Sequence, residues 1–212
     1  MSDASAGPQV WYDYAPSIGA NLPLVILLHG AGRDGLSLIE MWSEAAKRHG
    51  IALLAPDAGK QGWPLQNPDA AVLQQLINEM SERHNIDPER IFLFGHSNGA
   101  AYAQVLLNRT TGPWRAAVLH AGFVPSDMLV QPATPKPFRL YIGEHEHIFS
   151  IEDAKTNGRE LAKRGHDNDI VIIPGHTHWL YEAGPRIAEK SWTWFLREAR
   201  LGARSIVPKG CG

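Results

Sequence analysis

One segment of the 212-residue sequence constrains the fold more than any other, the stretch "IFLFGHSNGAAYAQ" at residues 91–104. Its apolar run ends abruptly in "GHSNG" at residues 95–99, and small residues then continue the chain. This order predicts a buried strand, a tight turn and a helix. Gly-x-Ser-x-Gly at such a turn lifts the serine hydroxyl out on a strained backbone, and the flanking glycines leave room for the turn. The pattern therefore favours a nucleophilic Ser97 over an ordinary strand-to-helix turn.

Short apolar runs alternate with longer amphipathic runs along the chain, which is typical of a parallel sheet covered by helices. The run "LVILLHG" at 24–30 is almost continuously aliphatic, as expected of a strand buried on both faces. Helices are predicted at 35–50, 69–86, 98–110, 151–164 and 186–200. Further strands are predicted at 51–57, 90–95, 115–122, 138–144 and 169–175. The sequence therefore predicts an α/β fold with a mostly parallel central sheet and helices on both faces.

Length and composition favour a single domain over residues 1–212, with flexible ends at 1–9 and 203–212. The chain is 44% hydrophobic, enough to bury a sizeable core. Its formal net charge of -2 argues against a nucleic-acid partner or an anionic membrane surface, because both reward a strong basic excess.

The cysteine count and the first residues bear on localisation. Cys211 is the one cysteine in the sequence, so an intrachain disulfide is excluded. The first residues do not have the pattern of a signal peptide, and no apolar run approaches the roughly 20 residues that a membrane span needs. We expect a cytoplasmic protein with no membrane span.

A second glycine-rich turn, His29-Gly30-Ala31-Gly32, follows the aliphatic run. Taken alone, this turn fits a simple change of chain direction equally well. Next to a nucleophilic serine, such a turn can present a backbone N–H to a developing oxyanion. The backbone amides of Ala31 and Asn98 are therefore the predicted oxyanion-hole donors.

A serine nucleophile needs a histidine base and a carboxylate that orients it. In this type of fold both follow later strands, in the order serine, acid, histidine. "VIIPGHTHWLY" offers His176 and His178, and the chain order favours His178. Counting from Gly143 at the end of the preceding strand, the acid position falls on Glu146, with Glu144 and Asp153 as alternatives.

Three aromatic residues fall on loops near the same predicted sheet edge and are candidates for substrate binding: Trp63, Phe149 and Trp179. For Trp63, ordinary packing fits equally well. The connection after Leu119 spans only about 20 residues, too few for a large helical lid. An open cleft with little or no lid domain is expected.

Paired histidines at two strand ends raise a competing metal hypothesis. His145 and His147, and likewise His176 and His178, have a His-x-His spacing that can ligate a metal. No recognised metallohydrolase spacing accompanies them, and a metal site would leave the serine turn unexplained. The prediction is therefore that the site holds no metal.

Four segments together resemble the α/β-hydrolase superfamily over essentially the whole chain: "LLHGAG", "DPERIFLFGHSNGAAYA", "GEHEHIFSIEDA" and "GHTHWLYEAGPRIAEKSWTWFL". They look most like small esterases related to polyhydroxybutyrate depolymerases and feruloyl esterases, and the phospholipase/carboxylesterase group is also similar. The resemblance implies an α/β-hydrolase fold, a Ser97-Glu146-His178 triad, a small-molecule ester substrate and no cofactor. The sequence departs from the family pattern at Glu146, where relatives usually carry aspartate.

Ester hydrolysis by a serine carboxylesterase is therefore the predicted function. A serine peptidase or thioesterase on the same scaffold shares the triad chemistry and remains an alternative. A third hypothesis is a non-catalytic, hydrolase-like binding protein, which is supported only by the glutamate at the acid position.

Overall fold

The computed structural model describes residues 10–16, 21–59 and 62–205, with backbone alone at 182 and 200–205. Its seven strands are β1 Trp11–Tyr14, β2 Leu22–Leu28, β3 Ala52–Pro56, β4 Ile86–His96, β5 Ala116–His120, β6 Phe138–Gly143 and β7 Asn168–Ile173. Its five α-helices are α1 Gly35–His49, α2 Ala70–Arg83, α3 Asn98–Arg109, α4 Ile151–Lys163 and α5 Gly184–Ser205.

The strands form one sheet in the order β1-β3-β2-β4-β5-β6-β7. All neighbouring pairs are parallel except β1 with β3, which run antiparallel. The mostly parallel sheet predicted from the sequence is confirmed. The short edge strand β1 was not predicted, because its four residues carry little of the apolar pattern that marks the buried strands.

Helices cover both faces of the sheet, as predicted. One core packs the apolar faces of α2, α3 and α4 against the sheet. The other packs α1 and α5 against the opposite face, and Trp192, Trp194 and Phe195 of α5 are buried there. The interior strand β2 is buried along its whole length, which explains its continuous aliphatic sequence.

Local signals set the ends of several helices. Asp69 caps α2 by accepting the backbone N–H of Val72 at 3.1 Å, and Asp34 caps α1 through the N–H of Ser37. Gly50 follows α1 in the left-handed conformation, with φ 66°, and ends that helix as predicted. Between β5 and β6 the chain forms only a short 3-10 helix, Ser126–Met128, so that connection carries no helical lid.

The predicted flexible ends fall largely outside the described residues. Residues 1–9 and 206–212, including Cys211, lie outside them, whereas 203–205 continue α5. Among the described helices, none is both long and apolar enough to cross a membrane.

The turn between β4 and α3 depends on close packing at its glycines. A Cβ built on Gly99 would overlap the carbonyl oxygens of Leu28 and His29, and one on Gly95 would overlap the backbone of Gly99. Only glycine therefore lets α3 start this close to β2. This packing places Ser97 directly over the end of the central strands.

We expect Gly99→Ala to lower the free energy of unfolding by about 3 kcal/mol, because the neighbouring atoms are backbone and cannot rotate away. Urea unfolding followed by circular dichroism measures this loss. Gly50→Ala is the matched control, since a Cβ there meets no atom within 4 Å and only the left-handed backbone costs about 1 kcal/mol. Equal losses in the two variants would contradict the packing argument.

Candidate active site

The carboxyl ends of the parallel strands carry the candidate site residues. Ser97 follows β4, Glu146 lies shortly after β6, and His178 lies shortly after β7. Because parallel strands end on the same edge of a sheet, residues far apart in sequence converge there. Their order along the chain is Ser97, Glu146, His178, the order expected of a serine, acid and histidine in this type of fold.

Ser97 occupies a strained backbone conformation, with φ 53° and ψ -118°, between the strand and α3. A residue other than glycine rarely adopts a positive φ. The N–H of Ser97 donates to the carbonyl of His120 at the end of β5, at 2.9 Å. The turn is thereby held against the neighbouring strand, and strain of this kind is typical of functional sites.

The side chains of Ser97, His178 and Glu146 form a continuous hydrogen-bonded row. Nε2 of His178 lies 3.0 Å from Oγ of Ser97, and its Nδ1 lies 3.0 Å from both carboxylate oxygens of Glu146. With the imidazole proton on Nδ1, Nε2 is free to accept the serine proton. Hydrogen-bonded rows of this kind allow a serine, a histidine and a carboxylate to act as nucleophile, base and orienting acid.

The Glu146 carboxylate is fixed by its own loop. Its Oε1 accepts the backbone N–H groups of His147 at 3.0 Å, Ile148 at 2.8 Å and Phe149 at 3.4 Å. The carboxylate is fully buried, and the His178 side chain is 12% exposed. The longer glutamate side chain therefore curls back onto the loop and still reaches the imidazole.

The alternative acids and the alternative histidine point elsewhere. Glu144 is exposed and accepts the N–H of Gly175 at 2.8 Å, while Asp153 lies in the first turn of α4. His176 is buried, with its Nε2 2.9 Å from Nε2 of His120. Of the candidates left open by the sequence, the structure brings Glu146 and His178 to Ser97.

The two predicted oxyanion donors border Ser97 on separate segments. Asn98 is the first residue of α3, so its N–H lacks an acceptor within the helix. The turn that contains Ala31 runs past Ser97, since a Cβ on Gly30 would contact the Ser97 Cβ at 3.4 Å. Both amides therefore belong to backbone that flanks the serine.

Trp63 is only 6% exposed and is largely a structural residue. Its Nε1 donates to the carbonyl of His29 at 2.8 Å, and its ring stacks on Tyr102 at 4.9 Å. Its backbone N–H donates to Oδ1 of Asn98 at 2.6 Å. Trp63 thus ties its loop to both turns beside Ser97, and a direct contact with substrate remains a prediction.

Phe149 borders a cleft beside the imidazole. Its ring is nearly parallel to that of His178 at 6.1 Å and packs on Phe123 at 5.2 Å. The cleft encloses about 360 Å³ and is also lined by Val124, Ile148 and the N-terminal part of α4. An apolar part of a small substrate would fit here.

The cleft loop after β5 is fastened by buried side-chain amides. Gln104 Oε1 accepts the N–H of Val124 at 2.8 Å, and Asn157 Nδ2 donates to the carbonyl of Val124 at 2.7 Å. The two amides also bond to each other at 2.8 Å. This network connects α3 and α4 and fixes the loop that carries Phe123.

Trp179 lies on the other side of His178 and is 44% exposed. The guanidinium of Arg33 lies 4.5 Å from the centroid of the Trp179 ring and 4.7 Å from that of Tyr181. The two rings are themselves 5.0 Å apart. The rim of the site here is aromatic and positively charged.

Three buried histidines form a hydrogen-bonded row behind Ser97. Nδ1 of His96 lies 3.0 Å from Nδ1 of His120, whose Nε2 lies 2.9 Å from Nε2 of His176. Each neutral imidazole has one donor and one acceptor nitrogen, so the N–H groups of the row point in one shared direction. The row joins the ends of β4, β5 and β7.

Burial keeps two histidines of this row, His96 and His120, uncharged. Burial, followed by the charge of His178, lowers the pKa of His96 to about 3. Burial, followed by the charges of the neighbouring histidines, lowers the pKa of His120 well below its usual value. Both imidazoles are therefore neutral at neutral pH, so neither places a positive charge near His178.

The metal hypothesis has little structural support. His176 turns inward to His120, whereas His178 turns to Ser97, so this His-x-His pair does not converge. Within the described ranges, no three histidine, cysteine, aspartate or glutamate side chains come together in a way that could hold a metal ion.

Sequence reasoning missed Arg33, His96, His120, Phe123 and Tyr181. The sequence contains a signal that could have identified two of them, His96 and His120. His96 ends β4 and His120 ends β5, so both follow a buried apolar run at the edge where the site forms. Arg33 and the aromatic residues lie on loops, whose course the apolar pattern does not reveal.

Comparison with known proteins agrees with this architecture. The family model of the prolyl oligopeptidase family matches residues 69–136. In solved structures, esterase PE8 superposes with a TM-score of 0.70 at 24% identity, over 92% of this chain and 98% of that one. The chain has the α/β-hydrolase fold, which confirms the fold class expected from its sequence.

Two curated relatives are esterases or hydrolases of longer chain length. The bifunctional acetylxylan esterase/xylanase XynS20E of Neocallimastix patriciarum is 32% identical over 95 residues, which are 42% of this chain and 14% of that protein. The S-formylglutathione hydrolase of Rattus norvegicus is 23% identical over 160 residues, 62% of this chain and 55% of that protein. The chain thus spans little more than half of the rat enzyme and a small part of XynS20E.

Proposed function

We propose that this protein is a serine hydrolase that cleaves small carboxylic esters through an acyl-enzyme on Ser97. The observation that carries the proposal is the row of 3.0 Å contacts from Ser97 Oγ through His178 to Glu146, with Ser97 at positive φ. The similarity to esterases supports the same class of reaction.

In this mechanism Ser97 Oγ attacks the ester carbonyl while His178 Nε2 takes the hydroxyl proton. Glu146 holds the tautomer with the proton on Nδ1 and stabilises the imidazolium that forms. The backbone N–H groups of Ala31 and Asn98 donate to the tetrahedral oxyanion. His178 then gives its proton to the leaving alcohol, and a water that it activates releases the acid from Ser97.

Covalent labelling with a fluorophosphonate tests the proposal directly. We expect one adduct per chain by intact mass spectrometry, located on Ser97 by peptide mapping, together with hydrolysis of p-nitrophenyl butyrate. Ser97→Ala takes up no label, and the matched variant Ser81→Ala is labelled like the parent protein, because Ser81 lies on α2 and its hydroxyl donates to the carbonyl of Ile77. A folded protein that is not labelled, or is labelled elsewhere, would support the non-catalytic reading instead.

Thioester hydrolysis is a second candidate, favoured by the similarity to S-formylglutathione hydrolase. Both ester classes pass through the same acyl-enzyme, so only the leaving group differs. Comparing kcat/KM for an oxygen ester and a thioester with the same butyryl group separates the two. A higher value for the thioester would assign the protein to that class and leave the role of Ser97 intact.

A further inference from the structure

We infer that Arg33 forms an anion subsite at the rim of the site, so that the preferred esters carry a carboxylate. The inference rests on the proposed function and adds to it the chemical class of the substrate. Three observations lead to it: the guanidinium is held in place, it lies close to the proposed nucleophile, and its charge is not paired within the described residues.

Two aromatic faces hold the guanidinium of Arg33. Its central carbon lies 4.5 Å from the ring centroid of Trp179 and 4.7 Å from that of Tyr181. The Tyr181 hydroxyl donates to Ser37 Oγ at 3.0 Å, which fixes one of these rings to α1. A guanidinium stacked in this way has lost much of its side-chain freedom before an anion arrives, which lowers the entropic cost of binding.

Arg33 belongs to the same turn as the proposed oxyanion donor Ala31. Its N–H donates to the carbonyl of Gly30 at 3.2 Å, and Gly30 packs on Ser97. Trp179 directly follows His178, and the Tyr181 ring lies 6.5 Å from that of His96. The charge of Arg33 is also one of the causes that lower the pKa of His96. The guanidinium therefore lies beside the reacting centre, within reach of a short substrate.

The charge of Arg33 is available to a ligand. In the part of the chain that the structure describes, its recorded side-chain contacts are the two rings, and no carboxylate pairs with it. The adjacent Asp34 is engaged in capping α1 through the N–H of Ser37 at 2.9 Å. An exposed guanidinium with free donors binds a carboxylate in bidentate geometry.

The site then has two unlike sides. Arg33 and its rings border His178 on one side, and the apolar cleft of Phe123 and Phe149 borders it on the other. An ester with one charged end and one apolar end would be oriented across Ser97. Short dicarboxylic acids esterified at one end have this chemistry.

The test compares matched pairs of p-nitrophenyl esters of succinic, glutaric and adipic acid. In each pair the distal carboxylate is either free or methylated. The quantity compared is kcat/KM for the ester with the free carboxylate divided by kcat/KM for its methylated partner. We expect Arg33→Gln to lower this ratio at least tenfold for the acid whose chain length gives the highest ratio in the parent protein. Arg33→Lys should retain part of the preference for the free carboxylate. A fourth pair, the butyrates of 3-hydroxybenzoate and of its methyl ester, places the charge on the alcohol side.

Arg109→Gln is the matched control, since it removes an equal charge at the far end of α3, roughly 18 Å from Ser97. The inference is overturned if Arg33→Gln leaves the ratio unchanged in all four pairs, or if Arg109→Gln lowers it as much.

Calorimetry separates this failure from a failure of the proposed function. Monomethyl glutarate should bind Ser97→Ala at least tenfold more tightly than dimethyl glutarate, and Arg33→Gln should remove the difference. The subsite is supported if the difference in affinity is present in Ser97→Ala and absent when Arg33→Gln is added to it. This holds even if the parent protein hydrolyses no ester. Equal binding of the two compounds overturns it even if esters are hydrolysed.

Discussion

Glu146→Gln should lower kcat for p-nitrophenyl butyrate about 10⁴-fold, the order expected when the residue that orients a catalytic histidine loses its charge. An amide at this position no longer stabilises the imidazolium and favours the tautomer with the proton on Nε2, which cannot accept from Ser97. The amide oxygen can still receive the N–H groups of His147 and Ile148. The loop should therefore stay folded, and circular dichroism and steady-state kinetics together measure the effect.

Two further variants make this prediction specific. Glu146→Asp keeps the charge but moves it away from His178, because the aspartate side chain is shorter. We expect kcat to fall on the order of 10²-fold for a displacement of about 1 Å. Glu144→Gln, the matched control, alters a carboxylate that contacts only Gly175 in the described structure and should keep kcat within about twofold of the parent value. Similar losses in Glu144→Gln and Glu146→Gln would contradict the assignment of the acid.

The free energy of unfolding should fall steeply as the pH drops from 6.5 to 5. The lowered pKa values of His96 and His120 mean that the unfolded chain binds protons in this range and the folded protein does not. Stability therefore decreases with decreasing pH, by up to about 1.4 kcal/mol per pH unit for each such group. His166, whose pKa is also lowered by burial, acts in the same direction.

Urea unfolding at closely spaced pH values measures this slope. His120→Gln removes one of the groups while keeping a donor and an acceptor, so its slope should be smaller by up to about 1.4 kcal/mol per pH unit. His145→Gln is the control, because the ring of His145 is exposed. Parallel curves for the parent protein and His120→Gln would show that His120 takes up protons as readily in the folded protein as in the unfolded chain.

Most of the fold was predictable, because its strands are buried on both faces and its helices have one apolar face. The run at 24–30 and the helix capped by Asp69 are examples in which a local pattern and a terminal residue agree. The strand β1 escaped prediction because it pairs along one edge only and is partly exposed. The helix α5 extends beyond its predicted range of 186–200 at both ends, to Gly184 and Ser205.

The candidate site was predictable only where topology restricts it. A serine between two glycines after a strand, and a histidine after the last strand, have defined places in this fold, and Ser97 and His178 occupy them. The choice among Glu144, Glu146 and Asp153 depended on how a loop folds. The contact of Arg33 with Trp179 joins loops separated by most of the chain, and no local pattern encodes it.

The amide network of Gln104, Asn157 and Val124 has a consequence for protein engineering. It anchors the cleft loop through the backbone of Val124, so the side chains of Phe123 and Ser126 take no part in these hydrogen bonds. Both residues line the cleft, so under the proposed function they are places where a library could reshape acyl-chain or alcohol selectivity without altering the amide network.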